Sequence, residues 1–436
     1  MIGLFFGDCG KGRFVDELCR RQNAHTVVRY NGGGQAGHNV VLEDGRHHVF
    51  SSFGAGSFVP GVKTVLAAPV VIHPGGLLRE AQVLAEKGVS DPLARLEIDA
   101  RCRVTSPYLQ AAGRLRELRQ RHGSCGIGFG ETVRFSLESP EASLTYGDLF
   151  SPGPGRDRLE AQRQALCAAL AAADENRGSA PDASAREWQV LHSEDLAQNW
   201  LDQIAPLLRQ VPPAGRDQLA SGLSRPGAVI FEGAQGLLLD EGHGFHPHTT
   251  WSRIGPAAIE EVLAELGLDA KVSHLGVLRS YLTRHGHGPF PTEDPELDRL
   301  AEPHNLSAGW QGKFRRGQPD AVLLRYALEA AGGNLEGLLL SHLDTFEKGV
   351  PLRWCEGYAT PEGRLDQLEV AAHPDLAHQE RRTRQLFAAK PCYAKEPLTS
   401  ARGLLARLEA ATRLPIVLAS HGPRQGAIRE LTRRRV

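Results

Sequence analysis

Short apolar runs that end in glycine-rich loops are the feature that most constrains what this chain can fold into. The run IGLFF at 2–6 leads into the loop GDCGKGR at 7–13, and the apolar spacing that follows is that of a helix. The run TVVRY at 26–30 ends in the loop NGGGQAGHN at 31–39 in the same way. Strand-like and helix-like segments continue to alternate along the chain. This order predicts an α/β fold with a central, mostly parallel twisted sheet surrounded by helices.

The length of 436 residues allows two or three domains, or one large α/β domain with an insertion. Composition changes between about 153 and 226, where an alanine-rich helical segment is followed by a polar stretch rich in Gly, Ser and Pro and by a second helical block. The sequence contains no repeat of fixed period. We therefore predict a single domain over 1–436 that carries a helical lobe at about 153–226.

Charge and cysteine content exclude several classes of protein. Lys and Arg total 50 against 51 Asp and Glu, so a net charge of -1 provides no field for nucleic acid or a membrane surface. No stretch approaches the roughly 20 apolar residues of a membrane span, and the N-terminal run lacks the basic flank of a signal peptide. The 7 cysteines form no C-x-x-C pair. We expect a cytoplasmic protein whose partners are small molecules.

The loop at 7–13 suits a phosphate group. Backbone N–H groups of a glycine loop at the start of a helix can surround a phosphate, and Lys11 adds a positive charge. The spacing is not that of a Walker A motif, and a plain structural turn is the alternative interpretation. Asp8 favours a function, because a carboxylate beside a phosphate loop is costly unless a metal ion or a proton transfer needs it.

Histidines occupy two further loops. His38 lies in the loop at 31–39, and an isolated histidine is more often structural than functional. Its position after a strand favours function, because ligand sites of α/β sheets collect at the carboxyl ends of strands. His285 and His287 could form a metal pair. Without a further ligand at suitable spacing, the sequence favours two ordinary loop histidines.

Several of these segments together form a specific combination. The chain contains, in order, GDxGKG, NGGxxAGH, FEGAQGxLLD, TRxGxGPFPTE and a late LDxF, and from Gly7 to about Pro423 it resembles the adenylosuccinate synthetase family. The resemblance implies a GTP-dependent ligase that joins aspartate to the 6-position of IMP through a 6-phosphoryl intermediate, with Mg²⁺ as cofactor. It also implies a homodimer, because members of that family borrow an arginine from the neighbouring subunit.

The resemblance assigns roles to three catalytic candidates, Asp8, Lys11 and His38. Asp8 would remove the purine N1 proton and bind Mg²⁺ together with the Gly37 carbonyl, whereas His38 would donate to the transferred phosphoryl group. Lys11 would neutralise the GTP phosphates. The GTP-binding candidates are Gly7, Asp8, Cys9, Gly10, Lys11, Gly12, Arg13, Gly37, His38, Asn39, His342, Leu343, Asp344, Ser420, His421 and Gly422. The candidates for the remaining substrates are Gln35, Ser124, Cys125, Gln235, Thr250, Lys313 and Arg315.

The sequence departs from the family pattern in the substrate loops. Gln35 replaces the usual asparagine, and Ile127 replaces the arginine of the loop at 124–131. For a later arginine, which the family supplies across a dimer interface, Arg134 is the candidate. In the segment at 307–320, Trp310 and Lys313 stand where the family has a threonine and an arginine for the aspartate carboxylates. An arginine to lysine change at such a site is not conservative, because the bidentate donor is lost.

Three interpretations remain open from the sequence. The chain is a divergent adenylosuccinate synthetase, a paralogue that applies the same phosphoryl activation to another nucleotide or amine, or an inactive homologue that only binds nucleotide. A phage branch of the family acts on a guanine nucleotide and alters the catalytic aspartate. The presence of Asp8 argues against that branch, and the presence of both Asp8 and His38 argues against an inactive homologue.

Overall fold

The computed structural model describes residues 1–120, 123–174, 184–300 and 310–431. Its strands are β1 (Ile2–Gly3), β2 (Thr26–Arg29), β3 (His38–Val41), β4 (His47–Phe50), β5 (Lys63–Leu66), β6 (Val71–Ile72), β7 (Leu96–Asp99), β8 (Arg103–Val104), β9 (Pro213–Ala214), β10 (Val229–Glu232), β11 (His274–Arg279), β12 (Leu282–His285), β13 (Phe314–Gly317), β14 (Leu335–Ser341), β15 (Cys355–Thr360), β16 (Gly363–Leu365), β17 (Lys390–Tyr393), β18 (Ile416–Ser420) and β19 (Ile428–Glu430).

The helices are interspersed with these strands along the chain. They are α1 (Lys11–Arg21), α2 (Pro74–Glu86), α3 (Pro107–Gln120), α4 (Phe129–Glu138), α5 (Pro152–Asp174), α6 (Ala185–His192), α7 (Leu196–Gln210), α8 (Arg216–Leu223), α9 (Pro256–Leu266), α10 (Ala321–Ala330), α11 (Leu376–Ala388) and α12 (Ala401–Thr412). Within the ranges described, no helix combines the length and the apolar character needed to cross a bilayer.

Two five-stranded sheets form the centre of the molecule, in the orders β1-β11-β14-β18-β19 and β10-β2-β5-β7-β9. Their edges meet, because the backbone N–H of Gly233 donates to the carbonyl of Met1 over 3.2 Å, beside β10 and β1. Every pair in these sheets is parallel except β18 with β19. The predicted central, mostly parallel sheet of an α/β fold is confirmed.

The sheet is buried on both faces, with alternate side chains on opposite sides. Val27 of β2 packs into a cluster with Phe14 and Val277, whereas its neighbour Val28 packs into another cluster with Ile259. The first cluster contains residues of both sheets and also Trp200. The two sheets are therefore covered by one continuous layer of apolar side chains.

The segment at about 153–226 is helical in the part that the structure describes. It contains α5, α6, α7 and α8, while the polar stretch at 175–183 lies outside the described residues. Its short strand β9 pairs with β7 at the edge of the sheet. The helical segment is thus attached to the sheet both by backbone pairing and by the apolar cluster that contains Trp200.

Parallel strands bring their carboxyl ends to one edge of the sheet, and this edge positions the site. The loops after β1, β2 and β10 leave the sheet at the junction of its two halves. The loops after β11, β14 and β18 leave the same edge farther along. The glycine-rich loops that are far apart in sequence therefore meet in space.

Candidate active site

A cavity of about 760 Å³ opens at this edge of the sheet. Of the residues predicted from the sequence, those that line it are Gly7, Asp8, Cys9, Gly10, Lys11, Gly12, Gln35, Gly37, His38, Asn39, Ser124, Cys125, Gln235, Thr250 and His342. The predicted residues outside this lining are Arg13, Lys313, Arg315, Leu343, Asp344, Ser420, His421 and Gly422. The volume is of the size that small-molecule sites have in proteins.

The first loop brings a helix N-terminus and a buried cation to the cavity. Gly7, Asp8 and Gly10 adopt left-handed or related conformations with φ of 103°, 51° and 81°, which turn the chain from β1 into α1. No described side chain caps α1. The side chain of Lys11 is 3% exposed, and its Nζ donates to the carbonyl of Gln235 over 2.5 Å. Uncapped N–H groups and a buried ammonium group favour an anion at this position.

His38 is held by a carboxylate that the sequence analysis left without a role. Its Nδ1 is hydrogen-bonded to Glu232, and both side chains are buried. The second carboxylate oxygen of Glu232 accepts the backbone N–H of Ala55 over 2.9 Å. The pair fixes the imidazole ring and leaves Nε2 for a ligand. The sequence shows a glutamate at the end of the strand-like run that becomes β10. Because 194 residues separate Glu232 from His38, the sequence could not predict that the two side chains meet.

Burial governs the protonation of this pair. Desolvation lowers the pKa of His38 below its ordinary value, although Glu232 acts in the opposite direction. Desolvation also tends to raise the pKa of Glu232, but the neighbouring His38 and Arg29 charges outweigh it and leave that pKa lowered. The opposing effects couple the protonation of His38 to that of Glu232.

Asp8 contacts a histidine that the sequence analysis interpreted as an ordinary loop residue. The Nε2 atom of His285 lies 3.4 Å from Oδ2 of Asp8. The backbone carbonyl of Asp8 accepts from Nη1 of Arg279 over 2.9 Å. Because Arg279 ends β11, the neighbour of β1, this hydrogen bond fixes the loop to the adjacent strand. His285 and His287 both line the cavity. The sequence could not reveal the contact with Asp8, because it joins loops that are distant in the chain.

A buried arginine organises the loop that carries these histidines. Arg284 lies over the ring of Phe6, 4.1 Å from its centroid, and its guanidinium points toward backbone carbonyl oxygens of the loop, including that of Pro289 at 3.4 Å. Desolvation and the neighbouring Arg315 lower the pKa of Arg284 to about 9. Because Phe6 precedes the first loop, Arg284 links that loop to the hairpin of β12 and β13.

One wall of the cavity presents the amide groups of Gln35 and Gln235. Nε2 of Gln235 donates to Oγ1 of Thr250 over 3.0 Å. The Oε1 atom of Gln235 and both amide atoms of Gln35 are buried without a hydrogen-bond partner among the described residues. Buried polar groups without partners are costly, so this wall fits a polar ligand that supplies both donors and acceptors. Ser124 and Cys125 complete it, and burial raises the pKa of the Cys125 thiol.

Of the predicted GTP-binding residues at 342–344 and 420–422, His342 lines the cavity, whereas Leu343, Asp344, Ser420, His421 and Gly422 do not. Because β14 and β18 are adjacent, the loop that begins with His342 and the end of β18 at Ser420 are neighbours. Oγ of Ser341 donates to the carbonyl of Cys9 over 2.9 Å and ties this region to the first loop. The carboxylate of Asp344 is paired with Lys348 at 2.8 Å. Arg13 is buried, and its side chain reaches the backbone carbonyl of Arg424.

The arginines predicted for the remaining substrates are occupied within the chain. Arg315 donates to Glu293 and to the carbonyl of Gly288, each over 2.9 Å. Arg134 pairs with Glu131 at 2.5 Å and with Glu138 at 2.7 Å. The side chain of Lys313 is exposed, and residues 307–309 of the predicted segment lie outside the described residues.

Comparison with known proteins gives a consistent result. The family model for adenylosuccinate synthetase matches residues 1–429. Among curated relatives, the adenylosuccinate synthetase of Pseudomonas paraeruginosa is 32% identical over 97% of this chain and 96% of its own length. That of Magnetococcus marinus is 29% identical over the same shares.

Solved structures agree at the level of the fold. The fully ligated adenylosuccinate synthetase of Plasmodium falciparum has a TM-score of 0.78 at 20% identity, with 99% of each chain covered. The succinoaminodeoxyadenylate synthetase of cyanophage S-2L, bound to dGMP and dATP, has a TM-score of 0.61 at 16% identity, with 98% of this chain and 93% of that one covered. With the motifs and the cavity that they line, these matches show that the chain belongs to the adenylosuccinate synthetase family and is a GTP-dependent C–N ligase.

Proposed function

We propose that this ligase phosphorylates the 6-oxo group of IMP with GTP and lets aspartate displace the phosphate, with release of GDP and inorganic phosphate. One observation carries the proposal: Asp8 and Lys11 of the first loop line the same cavity as His38, which belongs to a second loop. These three side chains provide a base, a phosphate-neutralising cation and a ring nitrogen beside the phosphates.

The chemistry explains why a base and a phosphate loop are needed together. An oxide ion cannot leave a purine ring at a useful rate, so the 6-oxygen must first become part of a good leaving group. Asp8 takes the N1 proton, the electron pair moves to the 6-oxygen, and that oxygen attacks the γ-phosphorus of GTP as GDP departs. The amine then bonds to C6, and the C6–O bond breaks to release phosphate.

His38 acts on the transferred phosphoryl group. Burial lowers the pKa of the imidazole in the free protein, but the negative charge of a triphosphate favours its protonated form. Glu232 stabilises that form through Nδ1, and Nε2 then carries the hydrogen that can be donated. The pair thereby supplies a positive donor where negative charge develops.

The residues of the first two loops fit Mg²⁺. Magnesium is bound in proteins through one or two carboxylates together with phosphates and water. The Asp8 carboxylate is 28% exposed toward the cavity, and Gly37 lines the same wall. Asp8 and the Gly37 carbonyl would hold the ion, whose charge would stabilise the phosphates. We propose these two metal ligands for the chain. We also propose that the chain forms a homodimer and that it is cytoplasmic.

The acceptor and the amine are the finer part of the proposal. The buried amide atoms of Gln35 and the buried Oε1 atom of Gln235, which lack partners among the described residues, support a polar nucleotide beside them. We assign recognition of the guanine base of GTP to Asp344. We assign binding of the amine substrate to Lys313 and Arg315. The alternative is a paralogue with another nucleotide or amine, and the pairing of Arg315 with Glu293 is the observation that favours it, because a pre-engaged arginine is less available to a carboxylate.

The test is phosphate release by the purified protein with Mg²⁺, across GTP or ATP, several purine monophosphates including IMP and dGMP, and aspartate or other amino acids. We expect release only when GTP, IMP and aspartate are all present. Asp8→Asn is the matched control, because it keeps the shape and removes the base; its turnover should fall by ~10²-fold or more. Release that requires a different pair would favour the paralogue, and no release across the grid would contradict the function.

A further inference from the structure

His285 is placed to control the orientation of the Asp8 carboxylate. The backbone of Asp8 is fixed by its left-handed turn, with φ of 51°, and by Arg279, but its side chain is partly exposed to the cavity. The Nε2 atom of His285 lies 3.4 Å from Oδ2 of that side chain. The contact is longer than the usual 2.7–3.2 Å of an N–H···O hydrogen bond. His285 therefore makes a long polar contact with one carboxylate oxygen, Oδ2, and this contact does not involve the other oxygen.

The ring of His285 is itself held in place. His285 pairs with Phe314 across β12 and β13, and the two ring centroids are 4.8 Å apart. Its Nδ1 atom is buried and has no hydrogen-bond partner among the described residues. An imidazole with no acceptor at Nδ1 favours the tautomer that carries its hydrogen on Nε2, where Asp8 accepts it. The ring thus presents its Nε2 atom to Asp8 at 3.4 Å.

The family pattern does not specify this position. In TRxGxGPFPTE the first open position is His285, whereas the flanking Thr283, Arg284, Gly286 and Gly288 all match the pattern. The frame of the loop matches the pattern, which leaves open the position whose side chain reaches Asp8 in this chain.

We propose that His285 is a positioning residue for Asp8: its Nε2–H holds one carboxylate oxygen, so that the other faces the N1–H of the purine. The inference rests on the proposed function. During the step the proton passes from N1 to Asp8, the electron pair moves to the 6-oxygen, and His285 keeps its own proton. His285 acts through Asp8 and transfers no atom.

The test compares His285→Ala, which removes the donor, with His285→Gln, which keeps an N–H donor on a side chain of similar reach. The matched control is His243→Ala, because His243 also lies 3.4 Å from a carboxylate oxygen, that of Asp240, but does not line the cavity. The assay measures kcat and the KM for GTP in the full chain with Mg²⁺, IMP and aspartate, and thermal unfolding shows that each variant is folded.

We expect His285→Ala to lower kcat by ~10-fold or more, the scale of a lost hydrogen bond to a charged group, with the KM for GTP nearly unchanged. His285→Gln should recover most of that loss, and His243→Ala should turn over like the wild type. An unchanged kcat in His285→Ala would overturn this inference alone, as would equal losses in His285→Ala and His285→Gln. A wild-type protein with no ligase activity would overturn the proposed function and this inference with it.

Discussion

At the scale of single residues, the site combines groups that have a sequence signature with groups that have none. Asp8, Lys11 and His38 belong to glycine loops, whose composition marks them. Glu232 and His285 matter because of the side chains that they touch, His38 and Asp8. These two residues act through the side chains that they touch, and only the folded structure shows which side chains those are.

Glu232→Gln tests the first of these partnerships. The amide keeps the size of the side chain but loses the charge that stabilises a protonated His38, so we expect kcat to fall by at least ~10-fold. The KM for IMP should change much less, because Glu232 does not line the cavity. Steady-state kinetics of the complete reaction provide the measurement.

Glu80→Gln is the control for that variant. Glu80 is also a buried carboxylate with a histidine partner, His48 at 3.3 Å, and it lies outside the large cavity. Its replacement should lower stability and leave kcat near that of the wild type. Equal effects of the two substitutions on kcat would mean that Glu232 acts only as a structural group.

At the scale of elements, the hairpin of β12 and β13 is the part of the site whose geometry depends most on one side chain. Arg284 stacks on Phe6 and fills the space inside the loop that follows β12. A Cβ atom at Gly288 would overlap with Nη2 of Arg284. The loop therefore requires a glycine at this position for steric reasons as well as for its φ of 118°.

Gly288→Ala should consequently destabilise the protein in two ways. The alanine would be strained by the φ at this position, and its Cβ atom would also overlap with Arg284. Gly363→Ala separates the two effects, because Gly363 has nearly the same φ, 121°, and a Cβ atom added there would meet no atom within 4 Å. We expect Gly288→Ala to lower the free energy of unfolding by about 1–3 kcal/mol more than Gly363→Ala does, the usual cost of overpacking. Urea denaturation of both variants measures the difference. Equal losses would show that the Arg284 side chain moves aside without lowering the free energy of unfolding.

At the scale of the whole molecule, we propose that the chain is a single domain. One apolar cluster contains Val27 of one half of the sheet, Val277 of the other half and Trp200 of the helical segment at about 153–226. A core shared in this way couples the parts, because none can unfold without exposing apolar surface of the others.

A single cooperative unfolding transition follows from that coupling. Urea denaturation followed by tryptophan fluorescence and by far-ultraviolet circular dichroism should give the same midpoint. Two separated transitions would mean that the helical segment is an independent domain.

The sequence was informative about elements and less so about their neighbours. Apolar runs and glycine turns predicted the mostly parallel α/β sheet and the loops that line the cavity. Periodicity carries no information on strand order, so the meeting of β1 and β10, which brings Gln235 to Lys11, could not be foreseen. The pairing of Arg134 with Glu131 is a local one, because residues three apart on a helix lie on the same face.

The central claim is that the 6-oxygen of the purine is phosphorylated before the amine displaces it. The most direct measurement uses IMP labelled with ¹⁸O at the 6-position, together with GTP, Mg²⁺ and aspartate, and determines the mass of the phosphate released. The account predicts one ¹⁸O atom in each phosphate, because the C6–O bond breaks and the oxygen leaves with phosphorus. Turnover that releases unlabelled phosphate would contradict it.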